Sequence, residues 1–253
     1  MANIKEAFLL TTLAGLSTLL GSIFIFLKRK DSSNVICEAL AFAAGVMMTV
    51  SLTDLIPEGQ NLLLKYFYQV PTILISFIFL VIGIILSMII DYCLPEKNNS
   101  NKSNNKLYRV GIISMLAIIL HNLPEGIATF MTSTNNISLG ISLTIAIALH
   151  NIPEGISISI PIFYASGSHK KAFFYTFISG ISELIGAIIA YFFLKDIMND
   201  AIMGMLYSVI AGIMIHISFS ELLPTSLQYK KEYSTIIYFI LGVSVMSINH
   251  FYF

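Results

Sequence analysis

Charge is what this sequence has least of. Only 11% of its 253 residues are Asp, Glu, Lys or Arg, against 56% that are apolar. That balance excludes the charged surface of an ordinary soluble domain and points to a membrane protein. The charges cancel to a formal net of zero, which leaves no electrostatic basis for a nucleic-acid partner. Cysteine is scarce as well, at two residues, too few for a disulfide framework.

What is abundant is long apolar runs. A helix needs about 20 such residues to cross a hydrocarbon core of about 30 Å. Eight runs qualify: 7–27, 35–57, 72–94, 109–132, 138–162, 171–195, 200–224 and 232–250. The first is too long for a signal peptide, lacks a small-residue cleavage pattern and carries its cations, "KRK", after the apolar run, so it is expected to stay in the mature protein. Alternate connections hold Lys28, Arg29, Lys30, Lys97, Lys102, Lys106, Arg109, Lys170, Lys171, Lys230 and Lys231, whereas the opposite side holds only Lys5, Lys65 and Lys195. The positive-inside rule then makes the first side cytoplasmic and puts both termini outside. Cys37 and Cys93 fall near cytoplasmic span ends, where two reduced, structural thiols are expected.

The whole chain, 1–253, reads as a single all-α polytopic membrane domain. Its one long polar connection, 95–108, opens with the low-complexity tract "PEKNNSNKSNNK" and is expected to be a flexible cytoplasmic loop. Two internal echoes organise the rest. "HNLPEG" at 121–126 returns as "HNIPEG" at 150–155, and "AGVMMTVSLTDLIP" at 44–57 returns as "AGIMIHISFSELLP" at 211–224. The second pair lies on the second and seventh spans, which run in opposite directions. That relation predicts three helices, a central pair and three inverted helices, a 3+2+3 plan with inverted repeats.

Depth locates the chemistry. At about 1.5 Å per residue, His121 lies about 18 Å into the fourth span, His150 about 18 Å into the fifth and Glu183 about 18 Å into the sixth, so all three sit near the bilayer midplane. On the fourth span, spacings of three and four residues put His121, Asn122 and Glu125 on one side of the helix; His150, Asn151 and Glu154 repeat this on the fifth. The short connection "TSTNNIS" makes these spans antiparallel neighbours. Pro124 and Pro153 release the carbonyls of Leu120 and Leu149 and allow a kink. Gly126 and Gly155 permit close helix approach.

Lys and Arg stand only at span ends and in connections, so nothing fixed neutralises these acids. An ionisable group at the bilayer centre costs several kcal/mol. Carboxylate, imidazole and amide oxygen together are the ligand mixture of a borderline divalent metal such as zinc or ferrous iron. Two further acids lie nearer the ends of the path, Asp54 toward the outer mouth and Glu221, with His216 before it, toward the inner one. Met47 lies seven positions before Asp54, where its thioether lines the path or packs in the core.

These motifs resemble the ZIP family of divalent-metal transporters, in particular its bacterial ZupT-type branch. The similarity covers the whole chain and is most specific at "HNLPEG" and "HNIPEG". "SGISELIGA" at 179–187 follows the family's sixth-helix pattern but has Leu184 where proline is usual, so a kink there is not carried over. The resemblance implies a two-metal site, one position formed by His121, Glu125, His150 and Glu154, the other by Asn122, Asn151 and Glu183 with Glu125 and Glu154 bridging. It also implies that Met47 and Asp54 line the entrance, that the protein is a homodimer, and that the first, fourth, fifth and sixth helices move against the rest. Zinc, or iron, manganese, cobalt or cadmium, would be the transported substrate, with no cofactor and no enzymatic activity. The protein would sit in the cell's inner membrane as a multi-pass protein. The central polytract lacks the family's frequent histidines, so loop-based metal capture is not expected.

Two other classes compete. An intramembrane metallohydrolase would activate a metal-bound water, but its H-E-x-x-H signature is missing from the sequence. A proton-coupled carrier of an organic solute would use the buried acids without metal.

Overall fold

The structure is a computed structural model that describes residues 3–26, 32–93, 102–194, 199–229 and 231–252. Among these residues regular structure is helical throughout: α1 (Ile4–Gly21), α2 (Ser32–Thr49), α3 (Ile56–Leu64), α4 (Gln69–Cys93), α5 (Lys102–Asn135), α6 (Ile137–Ser166), α7 (His169–Ile189), α8 (Asp200–Ile217), α9 (Leu223–Leu227) and α10 (Glu232–Tyr252). A π-helical turn, Val50–Leu55, joins α2 to α3, and another, Ser218–Leu222, joins α8 to α9. Seven continuous runs are long and apolar enough to cross a bilayer, and α10 is an eighth apolar helix.

The helices overrun their apolar cores because capping, not hydropathy, ends them. Asn136 caps the start of α6 by accepting from the amides of Ser138 and Leu139, and Gly167, at φ 66°, terminates it in the left-handed conformation. Asn199 caps α8 in the same way. α5 starts at Lys102, which corrects the expected loop. Residues 102–108 are helical, because adding polar residues to an existing helix costs far less than starting one. The rest of that tract, and the cations at 28–30, 97, 195 and 230, lie outside the described residues.

The prolines act in two ways. Pro124 and Pro153 lie inside α5 and α6, which stay helical across them. Pro57 and Pro224 each open a segment just after a π turn. The wider turn moves aside the carbonyl that a proline ring would otherwise strike. Asp54 and Glu221 both sit within these turns, so the sequence echo between the second and seventh spans is also an echo in backbone shape.

Packing repeats the same relation. A Cβ on Gly45 would lie 2.2 Å from the carbonyl oxygen of Phe239, and one on Gly212 would lie 2.1 Å from that of Leu80. Thus α2 closes on α10 as α8 closes on α4, the pairing that inverted repeats require. α1 packs on α6 as α7 packs on α5.

Two groups result. α1, α5, α6 and α7 pack on one another; α2, α3, α4, α8, α9 and α10 form the other group; the seam runs mainly between α2 and α6 and between α5 and α8. The larger apolar core fills this seam in the half where α4 ends and α5 begins, with Leu40, Val110, Ile113, Ile160, Met214 and Ile217 among its members. A smaller cluster around Ile127, Phe130 and Met203 occupies the opposite half. Cys37 is buried and Cys93 exposed, both free. Cys37 hydrogen-bonds the hydroxyls of Ser226 and Thr235 and so ties α2 to α9 and α10.

Candidate metal centre

α5, α6 and α7 each deliver polar side chains to one point between them. Gly126 sets the distance between α5 and α7: a Cβ there would lie 2.0 Å from the carbonyl oxygen of Glu183, and one on Gly186 would lie 2.1 Å from that of Leu123. Gly155 does the same for α6 and α1, where its Cβ would lie 1.9 Å from the Thr18 carbonyl oxygen. α7 remains helical through Leu184.

His121 Nε2 lies 3.2 Å from an oxygen of Glu125 and 3.2 Å from one of Glu154. His150 Nε2 lies 2.9 Å from Glu125. One candidate ligand atom from each of His121, Glu125 and His150 falls within 4.8 Å of the others, the span of a coordination sphere. Asn151 donates to Glu183 and, at 3.0 Å, to the Ala14 carbonyl of α1. Asn122 donates to the Ser179 carbonyl of α7 at 3.3 Å.

Burial is nearly complete, from 0% exposure for Asn122, Asn151, Glu154 and Glu183 to 7% for His150. Water therefore cannot satisfy these groups. Asn122 Oδ1, Asn151 Oδ1, Glu125 Oε2, Glu154 Oε2 and Glu183 Oε2 have no hydrogen-bond partner, and Glu154 Oε1 has only the His121 imidazole beside it. The Asn122 amide donates outward to a carbonyl, the Asn151 amide donates to a carbonyl and to Glu183 within the cluster, and what is left unpaired is these acceptor oxygens together with the ring nitrogens of His121. Buried polar groups are ordinarily paired; a cluster of unpaired acceptors beside two imidazoles suits a cation that accepts their lone pairs.

Of the seven midplane residues singled out in the sequence, His121, Glu125, His150 and Glu154 are linked by contacts, Asn151 meets Glu183, and Asn122 is tied to α7 through Ser179; all come from one helix group. The four path residues are not among them. Met47 is fully buried in the larger apolar core. Asp54 is part-buried in its π turn and accepts from the Thr53 hydroxyl at 2.9 Å. His216 Nδ1 lies 3.0 Å from Ser87 Oγ, on the side of the centre where α4 ends. Glu221 is buried and lies against Asp91, within the field of Arg109 and Lys106.

Sequence reasoning missed the pair of Asp91 and Arg109: Arg109 was counted only among the cations of the connections, and Asp91 carried no signal of its own. The bond from Arg109 to Asp91 is short, 2.5 Å to the carboxylate and 2.7 Å to the backbone carbonyl. It also missed the carbonyl anchors of Ala14 and Ser179, since backbone acceptors leave no signal in residue type.

Comparison with known proteins gives the family. The family model described as ZIP Zinc transporter matches residues 95–250. A Zinc transporter ZupT of Clostridium perfringens is 42% identical, over 98% of this chain and 96% of its own length. Those of Streptococcus mutans and Akkermansia muciniphila are 40% and 38% identical, each over at least 97% of both chains.

Proposed function

Since the chain belongs to the ZIP zinc transporter family, we propose that it carries zinc, and with it iron, manganese, cobalt or cadmium as related divalent ions, into the cytoplasm through the buried cluster. It is a multi-pass membrane transporter and not an enzyme, which removes the metallohydrolase and the organic-solute carrier as readings. The metal is cargo. One observation carries the site assignment: the unpaired carboxylate and amide oxygens, facing two imidazoles in a dry interior.

His121, Glu125, His150 and Glu154 hold one ion; Asn122, Asn151 and Glu183 hold a second, bridged by Glu125 and Glu154. Nitrogen and oxygen donors of this mixture suit zinc and its first-row neighbours alike. Dividing the carboxylates between two positions keeps either ion from being held too tightly to leave, which conduction requires.

All seven ligands belong to the α1, α5, α6 and α7 group, so an ion can ride with that group as it moves against the other. The dense apolar seam around Val110, Ile113 and Met214 keeps the inner side closed, and delivery requires that seam to part. The cation asymmetry of the connections supports an inner-membrane protein with both termini outside. Two copies form the functional dimer, each with its own site.

Asp54 strips hydration water at the outer mouth, and His216 and Glu221 receive the ion at the inner one. Asp54→Ala is therefore expected to raise the zinc concentration for half-maximal uptake severalfold while changing the maximal rate little; the reverse split in a concentration series removes Asp54 from the entrance. Zinc uptake into proteoliposomes, with each other divalent ion as competitor, tests the reading as a whole. A zinc signal no larger than that of protein-free liposomes overturns it.

A further inference from the structure

Hydrogen bonds between helices tend to stay within one group. Tyr108 pairs with Tyr175, Asn122 with Ser179 and Asn151 with Ala14 in the first; Ser76 pairs with Ser208, Ser87 with His216 and Cys37 with Ser226 in the second. Arg109 departs from this. It belongs to α5, and it grips Asp91 of α4 through both the side chain and the backbone carbonyl. α4 and α5 otherwise touch only slightly, so this ion pair is a clasp across the seam and not one contact among many.

Its position is as informative as its partners. Arg109 precedes His121 by twelve residues, about 18 Å along α5, which puts the clasp at the inner end of the path beside Glu221 and His216. Both partners are largely enclosed, with side-chain exposures of 22% and 30%. Arg109 Nε is buried without a partner, and the Glu221 carboxylate lies within the field of the guanidinium. The HN-x-PEG repeat has no equivalent of Arg109: the position 29 residues on is Ser138, uncharged and exposed. The clasp thus breaks the internal symmetry on the side where the apolar seam is also thicker.

We propose that Arg109 is a gating residue, a tethered cation that occupies the inner carboxylates while that side is closed and must withdraw with α5 before metal leaves. A fixed positive charge on Asp91 has two effects. It holds the two helix groups together at the inner mouth. It also keeps Asp91 and Glu221 from trapping a dication until the mouth opens, at which point the carboxylates are handed from guanidinium to metal. An equilibrium between closed and open forms moves only as far as the difference in interaction between them, and this pair is made in the closed form alone.

The proposal rests on the transport reading, so its test uses no metal. In full-length protein carrying Cys37→Ser and Cys93→Ser, Ile113→Cys places a thiol one turn inward from Arg109, in the seam, where Ile113 is 1% exposed. A membrane-impermeant maleimide is applied to the cytoplasmic face of inside-out vesicles. Adding Arg109→Gln is expected to speed labelling about tenfold, Arg109→Lys to leave it near the parent rate, and the exchange Arg109→Asp with Asp91→Arg to restore slow labelling. Equal rates for the parent and Arg109→Gln overturn the gate, as does an exchanged pair that labels as fast as Arg109→Gln. Because labelling is read without zinc, a chain that labels as expected but carries no zinc counts against the transport reading and leaves the gate standing.

Discussion

Glu125→Ala and Glu154→Ala are each expected to reduce zinc uptake to the level of protein-free liposomes while the protein still reaches the membrane. Glu125 lies within 3.2 Å of both imidazoles, and Glu154 lies 3.2 Å from His121 with its other oxygen buried and unpaired. Either one is shared by both proposed metal positions, so a single replacement removes a ligand from each. Losing even a supporting contact around a metal ligand costs about 10–100-fold in affinity or activity, and these are the ligands themselves, so a loss of a hundredfold or more follows.

Stability should move as well. Each replacement also removes a contact of the metal-free fold, Glu125 with His121 and His150 or Glu154 with His121, so melting without zinc should fall. The melting shift induced by zinc should vanish, since a ligand stabilises only the state that binds it. Glu58→Gln, at an exposed position on α3, serves as the control and should transport normally. Normal uptake by both Ala variants would mean that the carboxylates are not ligands.

Gly126→Ala is the second large effect, and its sign discriminates. Helix propensity alone favours Ala over Gly by about 1 kcal/mol. Packing says the opposite. The added Cβ would sit 2.0 Å from the Glu183 carbonyl oxygen and 2.6 Å from its carbon, and backbone cannot yield as a side chain can. α7 has to retreat, taking Glu183 with it.

Overpacking costs about 1–3 kcal/mol, and more where backbone must move, so the expected outcome is a loss of folded protein in detergent and little zinc uptake by what remains. Gly167→Ala offers the contrast. That residue faces open space, and the cost is limited to its left-handed backbone, about 1–2 kcal/mol, without an effect on transport. A Gly126→Ala protein that melts higher and carries zinc normally would show that α5 and α7 need not approach as closely as they do here.

The midplane cluster was legible because two regularities act along a single helix. Rise per residue gave the depth of His121, His150 and Glu183, and helical spacing put His121 with Glu125 and His150 with Glu154 on common faces. Helix ends were less legible. Lys102–Lys106 read as a linker by composition but is helical, since continuing a helix depends on its neighbours more than on its own polarity. The π turns at Val50–Leu55 and Ser218–Leu222 had a visible sign in the prolines that follow, but proline does the opposite in α5 and α6, where the helix runs on. The pairing of Arg109 with Asp91 was not legible, because sequence gives depth along a helix and not the distance to its neighbour.

From composition, spacing and the positions of its few charges, the chain by itself determined that it crosses a membrane about eight times, that it repeats internally, and that histidines, amides and acids share one depth. Those properties belong to single helices, where period and rise are constants of the backbone. Only the tertiary structure decided which faces meet, that all seven central side chains ride on one helix group, and that carboxylate and amide oxygens are left unpaired among them. It also decided that an arginine clasps the second group at one end. These depend on how closely helices approach and at what rotation, which glycine contacts and apolar packing set jointly over the whole bundle, and no local stretch of residues encodes them.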